Sequence, residues 1–286
     1  MTTPQAMDKK RDFQVKKIIV TRLQEIEQEE NVKVLYACES GSRAWGFASK
    51  DSDYDIRFIY LHPIKWYLSI KTNKDVIERP IDGLLDFSGW DLKKALWLFM
   101  KSNPPLLEWL NSPIIYLEQF SASAKLRNLL PEYYSPTSCL YHYLHMAQRN
   151  YREYLKGEVV WVKKYFYVLR PILACQWIEK GKGIIPVEFE KLSNKLLSNE
   201  EVRKAVNHLL EVKRNGTELD YKARIPILND FIEKELTRLE KIKQNIKRDK
   251  FPRLNNQRDK PDIQRLNQLF YDMLQEVWKI NLSLEN

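Results

Sequence analysis

A Gly-Ser step and an Asp-x-Asp step, set between two apolar runs, constrain this chain more than any other feature. Residues 32–38 read VKVLYAC, Glu39-Ser40-Gly41-Ser42 breaks that run, and after ten more residues Asp53-Tyr54-Asp55 opens a second run ending at Leu61. Only 8 of the 286 residues are glycine, well below the ~7% of average proteins, so a glycine here carries more information than usual. Alone, Gly-Ser is an ordinary turn and Asp-x-Asp an ordinary polar entry to a strand. Joined at this spacing between two strand-like runs, they specify a site.

The chemistry of that site follows from geometry. Residues two apart in a strand share a face, so Asp53 and Asp55 present adjacent carboxylates. Such a pair repels unless a cation neutralises it, and Mg²⁺ or Mn²⁺ takes oxygen ligands. Gly41 permits close backbone approach, and exposed N–H groups with the Ser42 hydroxyl suit phosphate oxygens, with Arg43 or Lys50 adding charge. A third acid on a neighbouring strand completes a two-metal clamp for in-line phosphoryl displacement. Asp86, in Leu85-Asp86-Phe87, is the choice; Asp82 and Asp91 are rivals, and Asp91 is better explained as a helix-start residue.

Periodicity outlines the rest. Val15, Ile19, Leu23 and Ile26 give one apolar face to a helix over 12–30. Strands are expected at 32–38, 54–61 and 81–87, with 43–48 a short helix or turn. A helix start is expected at 88–91, a helix at 92–101, and Asn103-Pro104-Pro105 stops it and opens another turn. From 121 onward the pattern is helical throughout: 121–130, 137–156, 161–180 with a disturbance at Pro171, 186–197, 200–214, 220–247 and 262–281. Residues 250–261 read as a polar connector. The division expected is a disordered arm at 1–11, a catalytic domain at 12–117 and a helical domain at 118–286. Trp45, Trp90, Trp97 and Trp109 are assigned to the core rather than to base stacking.

Composition narrows the setting. No apolar run approaches the ~18 residues of a membrane span, and the polar N-terminus lacks a secretory core. Cys38, Cys139 and Cys175 are scattered and odd in number, which argues against disulfides and zinc and for a reducing cytoplasm. His142 and His145 read as a helix-surface pair. The net charge of +9 is uneven: residues 1–117 hold 17 Lys+Arg against 16 Asp+Glu, and 118–286 hold 30 against 22. A basic second half suits a polyanion such as RNA or a triphosphate, or simply a solvated helical surface.

The stretch ESGSRAWGFASKDSDYDIRFIY resembles the signature of the polymerase-β-like nucleotidyltransferase superfamily. GWDLKKAL, SNPPLLEWLNSPIIY and KKYFYVLRPILACQWI resemble one of its bacterial and phage families, the RNA ligase-associated predicted nucleotidyltransferases. The resemblance implies an α+β fold: a palm with a mixed sheet of five strands or fewer and flanking helices, then an all-helical C-terminal domain. It implies metal-dependent transfer of a nucleoside monophosphate from an NTP such as ATP, releasing pyrophosphate. It places metal ligands at Asp53, Asp55 and Asp86 and triphosphate contacts at Gly41 and Ser42. Lys163, Tyr167 and Arg170 share a helix face beside Lys164, and Arg170 with one of the lysines is the expected clamp for the triphosphate tail. The acceptor implied is RNA, in end addition or repair, in association with an RNA ligase. A protein or small-molecule acceptor, or a non-catalytic RNA-binding scaffold, are the alternatives.

Overall fold

A strand that is apolar on both faces needs cover on both, and residues 33–39 receive it. In the computed structural model, which describes residues 4–49, 51–216, 220–247 and 262–279, helix α1 (Pro4–Glu30) precedes β1 (Lys33–Glu39). Ile19, Leu23 and Ile26 of α1 pack on Val34 and Ala37, while Leu35, Tyr36 and Cys38 face the opposite core. The helix begins at Pro4, inside the stretch expected to be a disordered arm. Gln, Ala, Met, Lys and Arg are good helix formers, so polarity there did not preclude helix.

The first part continues with α2 (Gly41–Ala44), β2 (Tyr54–Leu61), α3 (Ile64–Tyr67), β3 (Val76–Glu78), β4 (Leu85–Asp91), α4 (Leu92–Met100), α5 (Pro104–Leu110) and β5 (Ile115–Glu118). The sheet is five-stranded and mixed, in the order β3-β4-β2-β1-β5. β2 lies antiparallel to β1 and parallel to β4. The third long strand therefore starts later than expected. Residues 82–85 form a turn in which Asp82 and Leu85 exchange backbone hydrogen bonds of 3.2 and 3.0 Å. The strand then runs through Ser88-Gly89-Trp90, read from sequence as a helix start. Gly89 lies opposite Phe58, and a Cβ there would come within 2.2 Å of the Phe58 ring. The glycine makes room for an aromatic on the central strand. Asp91 ends β4 and caps α4 by accepting from the Lys93 N–H at 2.8 Å, and Asn103 caps α5 ahead of Pro104.

Helices dominate the second part: α6 (Ala122–Tyr133), α7 (Pro136–Tyr154), α8 (Lys164–Glu179), α9 (Phe189–Leu196), α10 (Glu200–Arg214), α11 (Pro226–Lys247) and α12 (Ile263–Trp278). α8 continues through Pro171. The part is not all helix, however: β6 (Val159–Trp161) pairs antiparallel with β7 (Tyr221–Ala223). The connector expected at 250–261 lies outside the described residues. No described helix is long and apolar enough to cross a membrane.

The expected boundary at 117/118 falls within β5, which pairs with β1 through Glu118. One apolar cluster runs from Leu35 and Tyr36 of the sheet through α4 and α5 to Phe166 and Phe189 of the helices. α12 returns to the first part, where Trp278 donates to the His62 carbonyl at 3.0 Å. Trp90 and Trp109 stack with ring centres 3.9 Å apart, but Trp97 is 51% exposed beneath Lys101. It sits on the outer face of α4, whose inner face carries Leu92, Ala95, Leu96 and Phe99.

A buried ion pair crosses between the parts. Arg170 of α8, 1% exposed, donates to Glu108 of α5 at 2.7 Å and to the Val187 carbonyl at 3.3 and 3.2 Å. Glu108 also accepts from the Tyr143 hydroxyl at 2.6 Å. Removing one member of such a pair leaves an uncompensated buried charge, whereas replacing both with apolar groups is often neutral. Glu108→Ala is expected to lose about 3–5 kcal/mol in urea denaturation, and Glu108→Leu/Arg170→Met to recover most of it. A double variant as unstable as the single one contradicts this assignment.

Candidate active site

The parallel register of β2 and β4 sets Asp55 directly beside Asp86, and Asp53 lies one residue before β2 begins. Two rows of one pleated face thus supply the carboxylates. Asp86 is the expected third acid that this register sets beside Asp55. Asp82 is exposed in its turn, and Asp91 is fully buried, engaged by the Tyr67 hydroxyl at 2.6 Å as well as by the α4 cap.

The Gly-Ser turn closes over the second acid. Gly41 has φ +57°, and a Cβ on it would lie 2.0 Å from Asp55 Oδ2. No side chain fits between this backbone and that carboxylate, so the glycine is required twice, by conformation and by contact. The Ser40 N–H donates to the Asp55 carbonyl at 2.9 Å, which fixes the turn to β2.

Two charged residues that the sequence reading passed over hold Asp55 in place. Glu39, fully buried at the end of β1, accepts from the Asp55 N–H at 2.7 Å and from the Tyr116 hydroxyl. Burial pushes its carboxyl up to about 7. Arg57 donates to Asp55 Oδ1 at 2.9 Å and to Asp86 Oδ2 at 2.8 Å, and to the Asp86 carbonyl at 3.1 Å. Its signal was present in the alternation: Arg57 is two residues past Asp55 and on the same face. The Asp55 carboxyl is raised above the ordinary range, chiefly by burial, with Asp86 and Asp53 pushing the same way and Arg57 and Lys163 opposing.

The expected cations have different fates. Lys163 acts on Asp55 electrostatically. Lys164 is enclosed by the rings of Tyr154, Tyr167 and Trp161, at 4.4, 4.7 and 4.8 Å. Arg43 folds back, donating to the Ser52 and Asp53 carbonyls at 2.6 and 3.1 Å and covering the Tyr54 ring, so it braces the acid loop. Arg170 is withdrawn into the clasp with Glu108 and does not reach the acids. Lys50 lies outside the described residues.

A further cation comes from the end of α10. Lys213 donates to Ser49 Oγ at 3.2 Å and is coupled to Asp53, Asp51, Lys163 and Arg43; burial and Lys163 lower its proton affinity. Nothing in the local pattern marked it, because only the return of α10 to the turn region creates the proximity. Arg214, next along, donates to the Gly46 carbonyl at 2.8 Å.

Among the described residues, no three His, Cys, Asp or Glu side chains are gathered as they stand into a metal-holding group. The guanidinium of Arg57 links Asp55 and Asp86 instead. The donor set nonetheless fits a hard divalent cation: three carboxylates, two of them side by side and mutually repelling. His145, by contrast, lies 3.2 Å from the Lys243 ammonium.

A 50% identical relative, the uncharacterized protein YcgL of Bacillus subtilis (strain 168), aligns over 265 residues, 93% of this chain and 98% of its own. A crystal structure of a nucleotidyltransferase-like protein from Exiguobacterium sibiricum 255-15 overlaps 91% of this chain and 88% of that one, at 14% identity and a TM-score of 0.31, too low to carry an argument. The family model described as the RNA repair pathway DNA polymerase beta family, RlaP, matches residues 15–272. The chain belongs to that family of RNA repair polymerase-β-like proteins.

Proposed function

We propose that this protein transfers a nucleoside monophosphate from an NTP to a hydroxyl of RNA, releasing pyrophosphate. The observation that carries the reading is the register that sets Asp55 beside Asp86 beneath the Gly41 turn, whose backbone approaches Asp55 too closely for any side chain. Family membership favours RNA as the acceptor, and pairing with an RNA ligase that seals the repaired end is consistent with it. The buried free cysteines accord with a reducing cytoplasm.

Asp53, Asp55 and Asp86 are the residues that would hold Mg²⁺ or Mn²⁺. Such a cation, when bound, supplies Lewis-acid stabilisation of phosphoryl oxygens. The chain's own groups do the rest. The N–H groups and hydroxyl of Gly41 and Ser42 hold phosphate oxygens. Lys163 and Lys213 offset charge on the β- and γ-phosphates as the bond from the α-phosphorus to the bridging oxygen breaks. Asp86 takes the proton of the attacking hydroxyl as its oxygen bonds to the α-phosphorus. Arg57 bridges Asp55 and Asp86 and offsets part of their negative charge.

Transfer from each α-³²P-labelled NTP to a mixed tRNA pool tests the reading. Label on RNA in the presence of Mg²⁺ or Mn²⁺, reduced roughly 10³-fold or more in Asp53→Ala/Asp55→Ala, is the expected result. Metal-dependent label on protein or a small molecule, with none on RNA, replaces the acceptor; no metal-dependent transfer at all removes the enzymatic reading. Lys213→Ala is expected to raise the KM for the NTP about tenfold, with kcat within a few-fold, because a tail contact binds ground and transition states alike. An unchanged KM takes Lys213 out of the nucleotide site.

A further inference from the structure

The β6–β7 ribbon presents a ring-bearing face that stays largely exposed among the described residues, with Trp161 flanked by Tyr154 and Lys164. Val159 and Tyr221 are each 64% exposed. Trp161 pairs with Tyr221 and Val159 with Ala223, so these four side chains share one face of the ribbon. The other face is anchored: Val160 is fully buried, and Ile225 donates its N–H to the Tyr165 hydroxyl at 2.8 Å. The chain therefore holds an apolar, ring-bearing surface rigidly toward solvent, where an unpartnered hydrophobic patch ordinarily marks an interface.

The position of the ribbon gives its partner a chemistry. The Trp161 and Tyr221 rings lie nearly parallel, 17° apart, with centres at 5.9 Å. Lys164 contacts Trp161 at 4.8 Å and Tyr167 at 4.7 Å, and Tyr167 lies close enough to Asp55 and Asp53 for their charge, after burial, to push its hydroxyl up to about 12. A row of rings and cations thus leads from the catalytic acids outward: Tyr167, Lys164, Trp161, Tyr221. Lys163 also lies over the Trp161 ring, at 5.9 Å, so the ammonium groups of Lys163 and Lys164 supply the positive charge of the row, while Lys222, paired with Val160, belongs to the opposite face of the ribbon. Exposed rings interleaved with cations are what single-stranded nucleic acid binds, because bases stack on the rings while phosphates follow the charge. A duplex hides its base faces and gains nothing from such a surface.

We propose that the β6–β7 ribbon receives the single-stranded end of the acceptor RNA, with a base stacked at Tyr221 and the terminal hydroxyl directed along Trp161 and Lys164 to the acids. This rests on the reading of RNA as the acceptor. It adds that the acceptor end is unpaired and enters over the helical part.

Fluorescence anisotropy with a short labelled oligoribonucleotide, and with the same strand annealed to its complement, tests it. Tyr221 is exposed, so Tyr221→Ala is expected to keep the wild-type Tm and Mn²⁺–ATP binding. The expected result is tighter binding of the single strand than of the duplex, an approximately tenfold loss of single-strand affinity in Tyr221→Ala, and recovery in Tyr221→Trp. Wild-type preference for the duplex overturns the proposal. Unchanged affinity in Tyr221→Ala, on a wild type that binds and labels RNA, overturns the ribbon and leaves the RNA reading standing. A wild type that neither binds nor labels RNA overturns both. Sedimentation showing a dimer that Tyr221→Ala dissolves identifies the ribbon as a contact between copies and also overturns the proposal.

Discussion

The buried ion pair of Glu108 and Arg170 is the interaction on which the site's construction depends. It joins α5, which packs beneath the sheet, to α8, whose first turn carries Lys164 beside Lys163. Arg170 is 1% exposed, and its Nε and Nη2 donate to the Val187 carbonyl. The Trp45 ring just beyond the Gly-Ser turn lies 4.8 Å from its guanidinium. A charge with this few alternatives admits one docking of the helices on the sheet, and that docking brings Lys163 and Lys213 toward Asp53 and Asp55. Burying it costs desolvation, so its contribution is to placement more than to net stability.

Within the site, the governing constraint is repulsion among acids. Asp53, Asp55 and Asp86 converge near the buried Glu39, and burial first, then Asp86 and Asp53, raises the energy of ionising Asp55. The fold counters this with Arg57 between the two strands and with lysines from the helical part. Under the proposed function, this crowding of acids is what a divalent cation would relieve and the Gly41 turn beside it is where a triphosphate would lie. The Gly41 turn, fixed to Asp55 by the Ser40 N–H, keeps the phosphate-facing backbone and the acids in one rigid unit.

Much of this was legible in the sequence, and the failures have physical causes. The ends of β2 and the start of α5 could be read because the breaks are local, at Asn103 with Pro104 for the helix. Asp86 could be expected on a strand because Leu85 and Phe87 flank it. The late start of β4 was missed because turn formation at Asp82–Leu85 and the demand of Phe58 for a glycine partner are not visible in periodicity. β6 was missed at the gap between the helices expected at 137–156 and 161–180, and β7 inside the one expected at 220–247, because they are three residues each and are stabilised by one another across about sixty residues. Arg170 was misplaced for a related reason: a cation on the same helix face as Lys163 reads as a ligand contact until Glu108 is found opposite it. Lys213 and the ribbon are products of tertiary return, which no local pattern encodes.

The central claim is that these three acids form one cation-dependent nucleotide site. The most direct test is a calorimetric titration of Mn²⁺ into the full chain, with and without a non-hydrolysable NTP analogue, for the wild type and Asp55→Ala. The account predicts Mn²⁺ binding that the analogue strengthens in the wild type and that is lost in Asp55→Ala. Analogue binding that is equally tight in EDTA, or Mn²⁺ binding that survives in Asp55→Ala, would contradict it.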